Sequence, residues 1–312
     1  MKRSTIHLLI VSLLLTGSLS AAPTEDIARP HLNDHNFVEN LLINSPFVRT
    51  SISNSLGYGK ALDVTTPIID LGDGEVIGFK GDLLFALLEF EYQYAIKEWI
   101  ALRLKVGGLA RAGTGVQSLL SEGLTMVTGF EFGWKVRLRE TDQSALAMNI
   151  DLTNRSMTGV NISKFVEDII EGQPASMVTK TPMTRVTLGL GYAWAPNNLF
   201  GFTLNGDTGY GESYNRQEGD QVFFRLGGAV EADLLARTSV PIGLSLGYIY
   251  DTFPENGTTA DNGLHAVGLR IAFTGRDDFN ISLDLSRELV PGRDGYSDVS
   301  VATTSITLRY YF

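Results

Sequence analysis

The chain has 312 residues, no cysteine and a formal net charge of −10. Without cysteine there is neither a disulfide framework nor a lipid-modified cysteine behind a signal segment. The acidic balance and the lack of any basic stripe exclude nucleic acid as a partner, and the length allows one large β domain or two ordinary ones.

Residues 1–22 read as a secretory signal peptide. Lys2 and Arg3 precede an apolar run from Ile6 to Leu15, and small residues follow in "TGSLSAAP". Such a segment is cleaved in the mature protein, here after Ser20, Ala21 or Ala22. The run is too short to span a bilayer as a helix, and no later stretch is long enough. Residues 23–46 come next. Within them "NDHNFVENLLINSPF" carries Phe37, Val38, Leu41 and Leu42 as a short apolar stripe.

From residue 47 the chain alternates with period two. A lone strand begins with "FVRTSISNSLGY". In "LLFALLEFEYQYAI" the even positions Leu84, Ala86, Leu88, Phe90, Tyr92 and Tyr94 are apolar or aromatic, whereas Glu89, Glu91 and Gln93 fall between them. After the short turn "KEW", "IALRLKVGGLARAG" repeats the rule, with Arg103, Lys105 and Arg111 opposite the apolar face. This is a β-hairpin with one apolar and one charged face. Four more hairpins follow, turning near Thr141 and Asp142, at "PNN", at "RTSV" and at "RDD". With the closing strand they make about twelve strands, of the length a tilted bilayer crossing requires. The five turns are tight. The other connections (60–81, 113–123, 157–182, 211–219, 254–262 and 291–297) are longer. One of them holds "VNISKFVEDIIEG", residues 160–172, where Phe165, Val166 and Ile169 fit one face of an amphipathic helix. Such a helix would form a constriction in the mouth, lie across it as a lid, or pack on neighbouring loops.

The chain closes with "TSITLRYYF", in which Ile306, Leu308, Tyr310 and Phe312 alternate to an aromatic end. With the signal segment and the hairpins, this resembles the bacterial outer-membrane β-barrel class over roughly residues 47–312. The resemblance implies an all-β fold: a transmembrane antiparallel up-and-down barrel with short periplasmic turns and longer extracellular loops. It also implies that the C-terminal row is a signal for the barrel-assembly machinery, and that the partners are outer-membrane lipid and small solutes. Residues 23–46 are then either a periplasmic tail or a plug in the lumen. Aromatic side chains near the tight turns (Tyr94, Trp99, Trp194, Phe200, Phe273, Phe279 and Tyr310) suit an interfacial girdle.

In a barrel the charged face lines the lumen. Opposed residues across a hairpin share a constant sum of numbers. That arithmetic predicts Glu91 opposite Arg103, Glu89 opposite Lys105, Arg225 opposite Asp251 and Arg270 opposite Asp284. Further lumen charges are expected at Arg49, Lys135, Arg137, Arg139, Arg155, Arg185, Glu231, Asp233, Glu288 and Arg309, making the periplasmic end locally positive. A twelve-stranded barrel lies between filled eight-stranded barrels and open large porins. A narrow channel or transporter for small hydrophilic solutes follows, lined by the paired charges. Two alternatives stand beside it: a barrel hydrolase, and a surface barrel acting through its loops. For a hydrolase only His265 near Ser213 and Asp261 offers a start, and neither GxSxG nor HExxH occurs. No metal or cofactor is expected.

Overall fold

A computed structural model describes residues 29–70, 76–113, 124–160, 169–170, 172, 174, 178–212, 219–252, 263–290 and 298–312. Two short strands, β1 (His31–Leu32) and β2 (His35–Asn36), pair with each other. Twelve longer strands follow: β3 (Ser51–Asp70), β4 (Val76–Lys97), β5 (Ile100–Gly113), β6 (Leu124–Glu140), β7 (Ser144–Val160), β8 (Val178–Trp194), β9 (Phe200–Glu212), β10 (Asp220–Asp233), β11 (Ile242–Asp251), β12 (Leu264–Phe273), β13 (Phe279–Val290) and β14 (Val299–Tyr311). Each is antiparallel to its neighbours in sequence, and β14 pairs with β3 to close a barrel. Closure leaves no unpaired sheet edge, which a strand surrounded by hydrocarbon requires.

The alternation decides which face is which, and the burial is inverted relative to a water-soluble sandwich. Leu56 is 67% exposed and Leu226 62%, whereas Glu231 is 1% and Arg270 3% exposed. A water-soluble sandwich buries the apolar face between its sheets. An apolar face that wraps the whole outside is far larger than the patches soluble monomers show. Hydrocarbon is the solvent that suits it. The inward positions are odd-numbered in β3–β11 and β14 and even-numbered in β12 and β13, so Glu89, Arg103, Asp151, Glu231, Arg270, Asp284 and Arg309 all reach the interior.

Five short connections gather at one end. They hold Glu98 and Trp99, residues 141–143, residues 195–199, the segment 234–241 with its single-turn helix α1 (Leu235–Thr238), and residues 274–278. Both ends of the described chain lie there too. The Arg29 N–H donates to Asp277 O at 2.8 Å and the Phe312 N–H to Thr50 O at 3.0 Å. Trp99, Trp194, Phe200 and Tyr310 are exposed around this rim, and Phe279 and Tyr310 pack ring to ring at 4.7 Å.

Two sequence expectations are corrected. The expected loop 60–81 is mostly strand: β3 and β4 stay paired up to Asp70 and Val76, with irregularities at Ala61/Val64 and Pro67/Ile69. Residues 157–160 and 178–182 likewise extend β7 and β8. Past the bilayer no apolar solvent enforces alternation, so pairing continues without the pattern that reveals it. Pro67, which has no N–H to donate, sits beside a bulge. The first barrel strand also starts at Ser51 rather than Phe47, and Phe47 is buried within the barrel.

Candidate functional site: the lumen and the segment inside it

Residues 29–50 enter the barrel at its turn end, climb the inside of the wall and return to begin β3. Hydrogen bonds trace the path. Asn36 Nδ2 donates to Asp233 at 2.8 Å, the Val38 N–H to Glu231 at 2.6 Å, and Asn40 Nδ2 to Ser245 Oγ at 3.0 Å. Farther along, Asn44 Nδ2 donates to Asp207 at 3.4 Å, and Gln93 Nε2 donates to Phe47 O at 3.0 Å and Arg49 O at 2.8 Å. The apolar stripe is divided along this path. Phe37 packs on Phe47 with ring centroids 5.0 Å apart, and Ile43 with Leu42 joins a cluster with Ala229, Ile249 and Leu264.

The wall is shaped to take the segment. A Cβ at Gly243 would meet Val38 Cγ1 at 2.3 Å, and one at Gly247 would lie 2.7 Å from Asn40 Cγ. Only a residue without a side chain permits the backbone that close an approach. Lumen-facing glycines in β9–β12 were readable from strand parity, and they are the sequence signal for a guest in the lumen that charge pairing alone did not reveal.

Charges tie segment and wall together. Arg270 is bidentate to Asp284, at 2.5 Å and 3.2 Å, and also donates to the carbonyls of Val38, at 3.0 Å, and Glu39. Glu39 is buried, accepts from Arg309, and accepts from Tyr311 Oη at 2.6 Å. Arg103 holds Glu131 and, at 2.9 Å, Asp151. Desolvated carboxylates of this kind need such partners. Glu39, Glu131, Asp151 and Tyr311 are members of the network that the pairing arithmetic did not reach.

The arithmetic itself divides. Arg225 stands opposite Asp251 and donates to it at 2.7 Å, and Arg270 stands opposite Asp284, as their sums predict. The first hairpin is two residues out. Glu91 faces Lys105 and Gln93 faces Arg103, because the chain turns at Glu98 and Trp99 with a bulge between Ala95 and Lys97. Lys105 still reaches Glu89 diagonally, at 2.8 Å. The expected positive end is also largely neutralised. Arg309 binds Glu39, and Arg137 and Arg49 both face Glu140. Arg139 follows a register shift that turns it out to solvent.

Little space remains around the segment. A cavity of about 60 Å³ lies between it and the wall, bordered by Glu39, Glu91, Arg103, Lys105, Lys135 and Arg309. At the turn end a concavity of about 790 Å³ opens outward past Asp34, Arg49 and Arg137. Toward the loop end the lining changes. Leu83, Phe85, Leu87, Leu109, Val127, Val299 and Val301 form an apolar wall, while Arg155, Arg185 and Arg225 occupy the other side. Arg185 lies over the Phe223 ring, 4.8 Å from its centre.

An outer-membrane channel of Pseudomonas putida F1 superposes on this chain with a TM-score of 0.52, at 12% identity, covering 88% of this chain and all of that one. The fold is that of a bacterial outer-membrane β-barrel. The P. putida toluene transporter TodX is also similar (TM-score 0.44, 12% identity, 88% of this chain and 95% of that one). So is the NanC porin (TM-score 0.49, 7% identity, 83% of this chain and 100% of that one). No protein-family model and no curated protein matches the chain.

In this outer-membrane barrel, His265 lies on the outward face of β12, where it pairs with Tyr248 Oη at 2.7 Å and stacks near Tyr250. Ser213 and Asp261 lie outside the described residues. Of the expected amphipathic helix, Ile169 and Ile170 are helical and exposed, and Phe165 and Val166 lie outside the described residues.

One group gives the seating of the segment a pH dependence. His35 is fully buried against Phe37. Its Nδ1–H donates to Asn198 O at 3.3 Å, and Nε2 has no partner among the described residues. Burial holds the imidazole below its usual 6.5, against the pull of the Asn198 carbonyl and the Asp233 carboxylate. The neutral ring is the form the barrel accommodates. Its contribution is therefore complete above pH 6.5 and is lost as the pH falls toward the lowered value. Acidification should loosen the segment, seen as rising open probability in a bilayer recording, and His35→Gln should flatten that component. An unchanged acid response in the variant would remove His35 as its cause.

Proposed function

We propose that this chain is an outer-membrane channel or transporter for small water-soluble solutes, gated by its own N-terminal segment. What supports the reading is a closed barrel with residues 29–50 running inside it, hydrogen-bonded to Glu231 and Ser245 of the wall and continuous with the wall only at β3. A gate needs an occupant that the wall recognises along its length, and this segment meets Asp233, Glu231, Ser245 and Arg309 in turn. The fold shared with the P. putida outer-membrane channel supports the same reading. The signal segment 1–22 is cleaved on export. The turn end faces the periplasm and the loop end the exterior, so the segment blocks from the periplasmic side. Glu89, Glu91, Arg103 and Lys105, with Arg225, Asp251, Arg270 and Asp284, line the path, and charges in a confined low-dielectric pore select solutes by sign. The loop carrying Phe165, Val166 and Ile169 acts at the outer mouth.

Single-channel conductance of the refolded protein, with and without the segment, tests this. A folded barrel that conducts in neither form overturns it.

Assembly gives a separate check. Ile306, Leu308 and Tyr310 form an outward row on β14, with Phe312 exposed beyond it. We expect the chain lacking Phe312 to be exported normally but to yield less heat-modifiable barrel in the outer membrane, since the terminal aromatic serves both the insertion signal and interfacial anchoring. Undiminished surface levels would count against that role.

A further inference from the structure

On the loop side of the segment, three cross-strand rows run over β4, β5, β6 and β7. The middle row is Glu89, Gly107, Gly129 and Arg155. The row toward the loops is Leu87, Leu109, Val127 and Met157, and the row toward the turns is Glu91, Lys105, Glu131 and Thr153. All have inward parity. Two glycines in the middle row leave a hollow where side chains would otherwise project, a cavity of about 220 Å³. The second glycine has an added role, because a Cβ at Gly129 would fall 2.7 Å from Arg155 Cγ. The arginine stem lies across that bare backbone.

The charges of the cavity are matched except one. Glu89 holds Lys105 at 2.8 Å, and Glu131, which shares the cavity with Arg155, holds Arg103. Arg155 borders the cavity within electrostatic reach of Glu131, but among the described residues no ion pair at contact distance engages it. A guanidinium is a planar fork suited to a carboxylate. Facing it across the hollow are Leu87, Leu109 and Val127, which offer no hydrogen-bond partner. The hydroxyls of a sugar acid would be stripped of water against that wall without replacement. The volume is below the roughly 300–1,000 Å³ of pockets for drug-sized ligands, which sets a small occupant.

We propose that this cavity is a binding subsite for small amphipathic monocarboxylates, the carboxylate on Arg155 and a ring or short alkyl chain on Leu87, Leu109 and Val127. The proposal rests on the channel reading, in that the acid would be its solute. The test is equilibrium dialysis of the refolded full-length barrel in detergent against radiolabelled benzoate, benzyl alcohol and galacturonate. Benzoate should bind saturably, and the other two about tenfold or more weakly, since each lacks one half of the match. Arg155→Gln should weaken benzoate about tenfold and leave benzyl alcohol unchanged, with Arg155→Lys between, because a point charge lacks the fork. Leu109→Phe, which fills the hollow, should weaken both ring compounds. Equal affinity for benzoate and benzyl alcohol, an unaltered Arg155→Gln variant, or no saturable binding to heat-modifiable barrel overturns the proposal. If Arg155→Gln fails to fold, the wild-type preference and Leu109→Phe still decide. Conductance is read separately: a barrel that conducts but binds no benzoate overturns the subsite alone, and one that binds but never conducts overturns the channel alone.

Discussion

In a planar bilayer the intact chain should pass little current, and a variant lacking residues 29–46 should conduct steadily, at roughly tenfold or more the mean current of the intact chain if hydrated ions are otherwise excluded. The reason is spatial. With the segment seated, the cavity beside it among these charges is about 60 Å³, and its borders include the ion pairs Lys105–Glu89 and Arg309–Glu39. An ion crossing there must shed water without gaining a free ligand. The cysteine-free sequence permits a sharper version. Because a Cβ at position 247 would lie 2.7 Å from Asn40 Cγ, the double change Asn40→Cys and Gly247→Cys sets two sulfurs within bonding range. The oxidised variant should stay shut, and a reductant should return it to the behaviour of the intact chain. Equal currents from the intact, deleted and cross-linked forms would sink the gate, whatever the barrel then transports.

Arg270→Met should be the most damaging single exchange in the lumen. The guanidinium is almost wholly buried and serves Asp284 and two carbonyls of the inner segment at once. Its removal leaves the Asp284 carboxylate with the Ser282 and Thr307 hydroxyls as its side-chain partners among the described residues. Breaking a buried pair from one side costs about 3–5 kcal/mol. Urea unfolding in detergent should move to lower denaturant by a corresponding amount, and the segment should be released more readily. Arg270→Met combined with Asp284→Leu should recover much of the loss, because no unpaired charge remains. A single variant as stable as the parent would show that water or a rearranged side chain reaches Asp284, and that the wall does not depend on this pair.

The barrel was legible because the bilayer enforces a strict period of two over its own thickness. Glu89 to Gln93 against Leu88 to Tyr92 is unambiguous, and so are the hairpin turns. Legibility ended where that solvent ends. Beyond Leu62 the pairing of β3 with β4 continues, but the order of residues in the sequence no longer alternates in a way that marks a strand. Register in the first hairpin failed for a local reason. Charge pairing alone centred the turn on Lys97, whereas the chain turns at Glu98 and Trp99, and a slip of two residues keeps inward positions opposite inward ones, so parity cannot detect it. The other two charge pairs stand in registers that run unbroken through them. The inner segment was readable only as an alternative, since a short apolar stripe is equally compatible with a tail. Its destination depends on partners such as Ser245, Glu231 and Tyr311, which lie far away in sequence.

That remoteness has a temporal side. Glu39 is fastened by Arg309 and Tyr311, which are 270 and 272 positions downstream. The Phe312 amide caps the backbone at Thr50, where the segment ends. The Glu39 carboxylate therefore finds its partners only when the last strand has arrived, and contacts of such long separation are slow to form. Full engagement of Glu39 marks the moment at which the seam between the first and last strands has closed, so it reports a finished molecule. A chain stalled one strand short still offers Glu231, Ser245 and Arg270 to the segment, but neither side-chain partner of Glu39.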